Sequence, residues 1–255
     1  MMRVFGVQLQ KELQELWRTR KLLIVLAVMV SFGFMSPLLA KLLPDLLKSM
    51  GEGQASGVII QIPEPTYRDA IDQFIKNMTQ FGLLLAVLMT FGTIVGEKER
   101  GQAALMFPHP LPREIFVLAK FAAMAILFGL ALLLGALADY LYTVLLFETP
   151  DIGGFVALIV LIYVWLLSLI ALSLLASTLG HSITSAGGLA FAFLLAFLLL
   201  DMFTNLAPGK VMGWGRALAV NSGDPDRWGA LIVTLAITII GVSTSAVILR
   251  RQEIG

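Results

Sequence analysis

Six long apolar runs, separated by shorter polar stretches, dominate the chain. They cover residues 22–43, 78–96, 115–138, 152–178, 184–206 and 229–249. A helix needs about 20 mostly apolar residues to cross the hydrocarbon core of a bilayer, and each run has about that length. The pattern therefore predicts an all-α integral membrane protein with six transmembrane helices in a single domain.

The segment before the first run has the periodicity of an amphipathic helix. Within residues 4–17 the apolar side chains lie near one face, opposite Gln8, Lys11, Glu12 and Glu15. This spacing predicts a helix within residues 1–21 that lies on the inner leaflet and turns into the first span. The alternative is a basic flank that anchors the first span.

Residues 44–77 form the longest connection on the predicted outer side. Pro44, Pro63 and Pro65 indicate irregular chain, which should give way to a helix at Thr66. Thr66 and Asp69 have capping-box spacing, and apolar residues follow at helical intervals. The expected helix lies on the outer headgroups, or else covers an exit path as a lid.

The distribution of basic residues predicts the orientation. With a cytoplasmic N-terminus, that side receives 11 of the 18 Lys and Arg residues, as the positive-inside rule requires. Both termini are then cytoplasmic in a multi-pass protein of the cell membrane. The loop at residues 207–228 fits less well, since it places Lys210, Arg216 and Arg227 on the outer side.

Composition narrows the function classes. The chain is 58% hydrophobic and 14% charged, with a mean hydropathy of +0.88, and it has no cysteine. An intramembrane hydrolase would need a catalytic set, and neither HExxH nor GxSxG occurs. His109 and His181 have no companion ligands, so we expect neither a catalytic nor a metal site.

The connection between the second and third runs contains the most specific pattern. Gly92 and Gly96 form a GxxxG pair, which permits close helix packing. A charged cluster follows at residues 97–100, and Gly101 permits a turn. A short helix over 103–107 would then be stopped by prolines at positions 108, 110 and 112. Such a stiff helix is suited to transmitting a push from a docked partner.

This connection resembles the first cytoplasmic loop of type-2 ABC exporter permeases. That loop reads acidic-x-acidic-basic-Gly, an apolar helix, Pro-x-x-Arg and a Lys seven residues further on. The matching residues here are Glu97, Glu99, Arg100, Gly101, Leu105, Pro110, Arg113 and Lys120.

The resemblance implies roles and partners. Residues 97–114 would be the coupling helix, which docks on a nucleotide-binding ABC ATPase subunit, and residues 1–21 the elbow helix. The chain has no GxxxxGK[ST] loop, so it would bind no cofactor and ATP with Mg²⁺ would lie on the partner. The other implied partners are a second copy or homologue of the permease and membrane lipid, with no nucleic acid.

Ionisable residues inside membrane spans are candidates for function. Asp139 lies late in the third run, and Asp201 lies late in the fifth with Asn205 close by. These three residues are either contacts for substrate or gating, or interfacial caps near the outer boundary.

The sequence thus predicts the permease of an ATP-driven exporter. A secondary transporter is an alternative, although mid-span acids are missing. A non-transporting scaffold for an ATPase is the other alternative. No sequence feature selects a substrate.

Overall fold

The computed structural model describes residues 2–52, 64–100, 113–223 and 227–252. In these ranges the chain is helical and has no strand. The helices are α1 (Met2–Arg18), α2 (Lys21–Glu52), α3 (Tyr67–Asn77), α4 (Leu83–Thr90), α5 (Val95–Glu99), α6 (Arg113–Leu146), α7 (Ile152–Leu179), α8 (Ile183–Phe203), α9 (Lys210–Val220) and α10 (Trp228–Arg251).

Six helical stretches in the described chain are long and apolar enough to cross a membrane. They are Lys21–Pro44, Tyr67–Glu99, Arg113–Leu146, Ile152–Leu179, Ile183–Phe203 and Trp228–Arg251. The second consists of α3, a π-helical turn at Met78–Gly82, α4 and α5. The predicted all-α membrane fold is confirmed, and the protein is a multi-pass membrane protein.

The α1 helix and the C-terminal end of α10 lie at the same side of the bundle, because both contact the two ends of the 101–112 connection. We call this side the terminal face and the other side the opposite face.

The first long helix continues beyond the span that it contains, which ends at Pro44. Helix α2 continues through Pro37 and Pro44 to Glu52, so the expectation of irregular chain from Pro44 is wrong as far as Glu52. Proline removes one backbone hydrogen bond and usually kinks a helix. In membrane helices that loss is tolerated where neighbouring helices or nearby side chains satisfy the freed backbone groups. The Ser36 hydroxyl, next to Pro37, donates to the carbonyl of Phe32 at 2.6 Å.

Helix α3 begins where the capping pattern predicted. The backbone N–H of Thr66 donates to Oδ2 of Asp69 at 2.8 Å, and the reciprocal bond of the capping box is present. Its apolar face was expected on the headgroups, but Ile71 and Phe74 are fully buried in the main hydrophobic core. The face is covered by protein because α3 packs on α2 and α9.

Helices α2 and α6 pack with their backbones in direct contact. A Cβ built on Gly33 would overlap the carbonyl oxygen of Gly135, and one built on Gly135 would lie 2.8 Å from the carbonyl oxygen of Met29. Two backbones in such contact leave no room for a side chain. The α2–α6 pair therefore depends on glycine at both positions.

In the described part of the chain no other helix packs closely on Gly92 or Gly96, and their packing role stays a prediction. A Cβ on Gly92 would meet no described atom within 4 Å, and one on Gly96 would meet only the Arg100 guanidinium, at 3.5 Å. The physical reason is that the helix is interrupted at residues 91–94, so the pair does not form one continuous helical face.

A short helix on the opposite face lies within the 207–228 loop. Helix α9 packs on α7, where a Cβ on Gly154 would overlap the carbonyl oxygen of Leu218. The guanidinium of Arg216 on α9 forms a two-pronged ion pair with the carboxylate of Asp72 on α3, with Nη2 2.8 Å from Oδ2. Of the three basic residues that the predicted orientation places on the outer side in this loop, Arg216 is thus paired with an acidic residue.

We expect the substitution Arg216→Ala to lower the free energy of unfolding by about 1 kcal/mol or less, because both partners are partly exposed and water screens the pair. Thermal unfolding of the purified chain in detergent measures the change. The charge swap Asp72→Arg/Arg216→Asp should recover part of the loss. If the charge swap and Arg216→Ala lower the free energy of unfolding by the same amount, the ion pair makes no electrostatic contribution to stability.

Candidate functional site

The described residues on either side of the 101–112 connection meet at the terminal face. Before the connection lies α5, and after it lies the start of α6 at Arg113. The predicted site residues Gly101, Leu105 and Pro110 and the predicted helix at 103–107 lie outside the described residues. The candidate site is therefore built from the flanks of the connection.

A buried cluster of charges joins the two flanks to α1. The Nζ of Lys120 donates to Oε1 of Glu97 at 2.8 Å and to Oε2 of Glu12 at 2.9 Å. All three side chains are almost completely buried, with 3% of the Lys120 side chain exposed. Lys120 thus connects α6 to α5 and to α1 by charge-assisted hydrogen bonds.

Helix α1 contributes further polar groups to this cluster. The Gln8 amide donates to Oε1 of Glu12 at 2.9 Å, and Nζ of Lys11 lies 3.5 Å from Oε1 of Glu97. The exposed part of α1 includes Val7 and Trp17. The polar residues Gln8 and Glu12 of α1 therefore pack against the bundle together with Leu16.

The α5 flank also binds the adjoining ends of α7 and α8. The Ser177 hydroxyl accepts from the backbone N–H groups of Ile94 at 3.0 Å and Val95 at 3.1 Å. The Nζ of Lys98 donates to the carbonyl of Thr178 at 2.7 Å, at the end of α7. Oε1 of Glu99 accepts from the first N–H of α8, at Ile183, at 2.8 Å.

The signs of these charges match the helix ends that they contact. A helix carries partial positive charge at its N-terminus and partial negative charge at its C-terminus, where backbone groups lack partners. The Glu99 carboxylate faces the start of α8, and the Lys98 ammonium faces the end of α7. Each contact is thus favourable for its helix end.

The flank after the connection binds the end of the last span. Nη1 of Arg113 donates to the carbonyl of Leu249 at 3.0 Å and to that of Arg250 at 3.4 Å, and it also contacts the carbonyl of Gln252. Together, the two flanks contact α1, α7, α8 and α10. The structure brings the predicted residues Glu97, Glu99 and Arg113 to one face, and Arg100 lies exposed beside them.

Sequence reasoning missed several residues of this site. Glu12 was assigned only to the polar face of α1, and Lys98, Ser177 and Gln252 were given no role in coupling. A signal for Glu12 did exist, because Lys120 lies at the edge of an apolar run and a charge in that position needs a partner.

The carboxylates of Glu12, Glu15 and Glu97 have oxygen atoms within 4.8 Å of one another. Such a group can in principle hold a cation. Here Lys120 already lies between two of them, and Lys11 contacts the same two. The arrangement fits an ion-pair network better than a metal site.

The predicted intramembrane candidates do not form one site in the described chain. Asp139 on α6 is fully buried, and its two carboxylate oxygens accept no hydrogen bond from the described residues. Asp201 at the end of α8 accepts from the backbone N–H of Gly209 at 2.9 Å, next to the start of α9. The Asp201 carboxylate thus links the end of α8 to the residue that precedes α9. Asn205 is exposed just beyond α8, and the substrate or gating role of all three stays a prediction.

Comparison with known proteins agrees with the motif and the fold. Residues 8–213 match the family model described as "ABC-2 family transporter protein". The chain is also similar to the uncharacterized transmembrane protein YxlG of Bacillus subtilis (strain 168), with 22% identity over 247 residues that cover 94% of this chain and 95% of the relative. The matched region includes most of α1, the 101–112 connection and the first residues of α9. With six membrane-spanning helices and a family match over well more than half of its length, the chain belongs to the ABC-2 family of transporter proteins.

Proposed function

We propose that the chain is the permease of an ATP-driven exporter, and that ATP with Mg²⁺ is bound and hydrolysed on a separate ABC ATPase subunit. Membership of the ABC-2 family makes the chain a transmembrane component of an ABC transporter. The proposal includes the ATPase partner, the outward direction of transport and pairing with a second copy or a homologue. In the proposed arrangement both termini and the terminal face are cytoplasmic.

The observation that carries the proposal is the anchoring of both flanks of the 101–112 connection to four helices. On the α5 side, Lys98 and Glu99 contact the ends of α7 and α8. On the α6 side, Arg113 contacts the end of α10. A partner that displaces this connection therefore acts on several spans at once.

The buried cluster gives the connection a stiff attachment to α1. Removing one partner from a buried ion pair costs about 3–5 kcal/mol, because the other charge stays buried. Lys120, Glu97 and Glu12 would therefore separate only at a high cost in free energy. Under a push from the ATPase, α1, α5 and the start of α6 should move as one body.

The alternatives differ in what they require. A secondary transporter would move substrate without ATP, and the buried carboxylate of Asp139 is the one described feature that favours it. A scaffold would bind the ATPase without moving substrate. A secondary transporter should not associate with an ATPase, whereas the proposed permease should. A scaffold should associate with the ATPase, but its function would not require the helices to change conformation.

The test is co-expression of the chain with candidate ABC ATPase subunits from its own genome, followed by reconstitution in lipid nanodiscs. We expect one subunit to form a stable complex whose ATPase rate depends on the intact connection. The substitution Leu105→Asp should abolish association or reduce the ATPase rate at least tenfold, since one unpaired buried charge costs more than the 1.4 kcal/mol that a factor of ten represents.

The matched control is Leu105→Met, which keeps an apolar side chain of similar volume and should behave as the unmodified chain. Failure of every candidate subunit to associate would overturn the proposal. Equal ATPase rates for Leu105→Asp and the unmodified complex would show that the docking surface lies elsewhere.

A further inference from the structure

Both flanks of the 101–112 connection converge on one residue beyond the end of the last span. Gln252 directly follows α10, and its side chain and its backbone contact different flanks. The ammonium of Lys98, before the connection, donates to Oε1 of Gln252 at 2.7 Å. The guanidinium of Arg113, after the connection, donates to the backbone carbonyl of Gln252.

A third element completes this arrangement. Nε2 of Gln252 donates to the carbonyl of Thr178 at 3.3 Å, and Lys98 donates to the same oxygen at 2.7 Å. Lys98, Gln252 and the last turn of α7 thus form a closed set of hydrogen bonds. The amide suits this place because it accepts from the ammonium and donates to the carbonyl at the same time.

We propose that Gln252 is a positioning residue for coupling, which ties the two flanks to each other and to the ends of α7 and α10. The inference rests on the proposed function. With Gln252 in place, the chain from Lys98 to Arg113 is fastened at both ends to one point. Displacement of the connection then moves α7 and α10 together with it.

Without the Gln252 side chain, Arg113 keeps its bonds to the backbone of α10, and Lys98 keeps only its bond to α7. The two flanks are then no longer joined through one residue. The core of the bundle is untouched, because Gln252 lies outside the three hydrophobic clusters. The expected effect is on transmission and not on folding.

The experiment uses the complex with its ATPase in nanodiscs and compares Gln252→Ala, Gln252→Glu and Lys98→Met. We expect Gln252→Ala to lower kcat for ATP about three- to tenfold, the range that the typical net contribution of one hydrogen bond allows. The KM for ATP, the association of the subunits and the thermal midpoint of the chain should stay unchanged. Gln252→Glu keeps an acceptor for Lys98, so it should restore at least half of the rate.

Two comparisons make the result specific. Arg251→Ala removes an exposed side chain at the last residue of α10, directly before Gln252, and it should leave kcat unchanged. The double variant Lys98→Met/Gln252→Ala should be no slower than Lys98→Met alone, because both changes break the same link.

The outcomes separate the two proposals. An unmodified complex that fails to assemble or to hydrolyse ATP overturns the proposed function itself. A working complex in which Gln252→Ala has native kcat, or in which Gln252→Glu is as slow as Gln252→Ala, overturns only the role of Gln252. A fall in the thermal midpoint that accounts for the lost activity also overturns it, in favour of a purely structural role.

Discussion

Replacing Lys120 by methionine is expected to lower the free energy of unfolding by about 3–5 kcal/mol. The ammonium is the shared partner of Glu12 and Glu97, both of which are buried. Methionine has a similar length but cannot donate a hydrogen bond, so the two carboxylates would face each other without it. Lys11 can offset only part of the loss, since its side chain is 41% exposed and lies 3.5 Å or more from the same carboxylates.

Thermal unfolding of the purified chain in detergent measures this effect, with Lys76→Met as the matched control. Lys76 is exposed on α3, so its loss should change the free energy of unfolding by less than about 0.5 kcal/mol. The variant Lys120→Met/Glu12→Met/Glu97→Met replaces the buried charges together by apolar side chains of similar volume and should recover most of the stability. A single Lys120→Met variant as stable as the native chain would show that the cluster does not hold α1 in place.

The sequence predicted the flanks of the candidate site but not their partners. The spacing of Glu97, Glu99, Arg113 and Lys120 was enough to identify the connection and its resemblance. The contact between Lys120 and Glu12 spans 108 positions. Helical periodicity assigns a residue to a face, and it cannot say which other helix covers that face. The pairing therefore required the packing of α1 against α5 and α6.

Two elements of the fold were missed for reasons of local propensity. Helix α2 was expected to end near Pro44, because proline in a helix costs about 3 kcal/mol in water. Inside the span, at Pro37, the backbone has stronger reason to stay helical, since an unpaired N–H or C=O in lipid has no water to bind. The turns from residue 45 to Glu52 lie beyond the span, so this argument does not extend to them. Helix α9 is short, and it carries glycines at positions 213 and 215 that weaken its helical signal. Its packing on α7 compensates for this weak propensity.

Glycine positions show the same limit most directly. The GxxxG pair at Gly92 and Gly96 was chosen from its spacing, whereas the tightest contact between spans is at Gly33 and Gly135. These two glycines are 102 positions apart, so no local motif includes both. Spacing within one segment reports that close approach is possible, and only the partner helix decides whether it occurs.

The two glycine sites give opposite expectations for the same substitution. Gly33→Ala should lower the free energy of unfolding by about 1–3 kcal/mol, because the new methyl group overlaps a backbone oxygen of α6 and the helices must separate. Gly92→Ala should change it by less than about 0.5 kcal/mol, since its methyl group would meet no described atom within 4 Å. Thermal unfolding of both variants in the same detergent compares the sites. Similar losses at both would contradict a close backbone contact between α2 and α6 at Gly33. A Gly92→Ala variant that is stable alone but fails to assemble with its ATPase or a second copy would move the predicted packing role of Gly92 to a contact between chains.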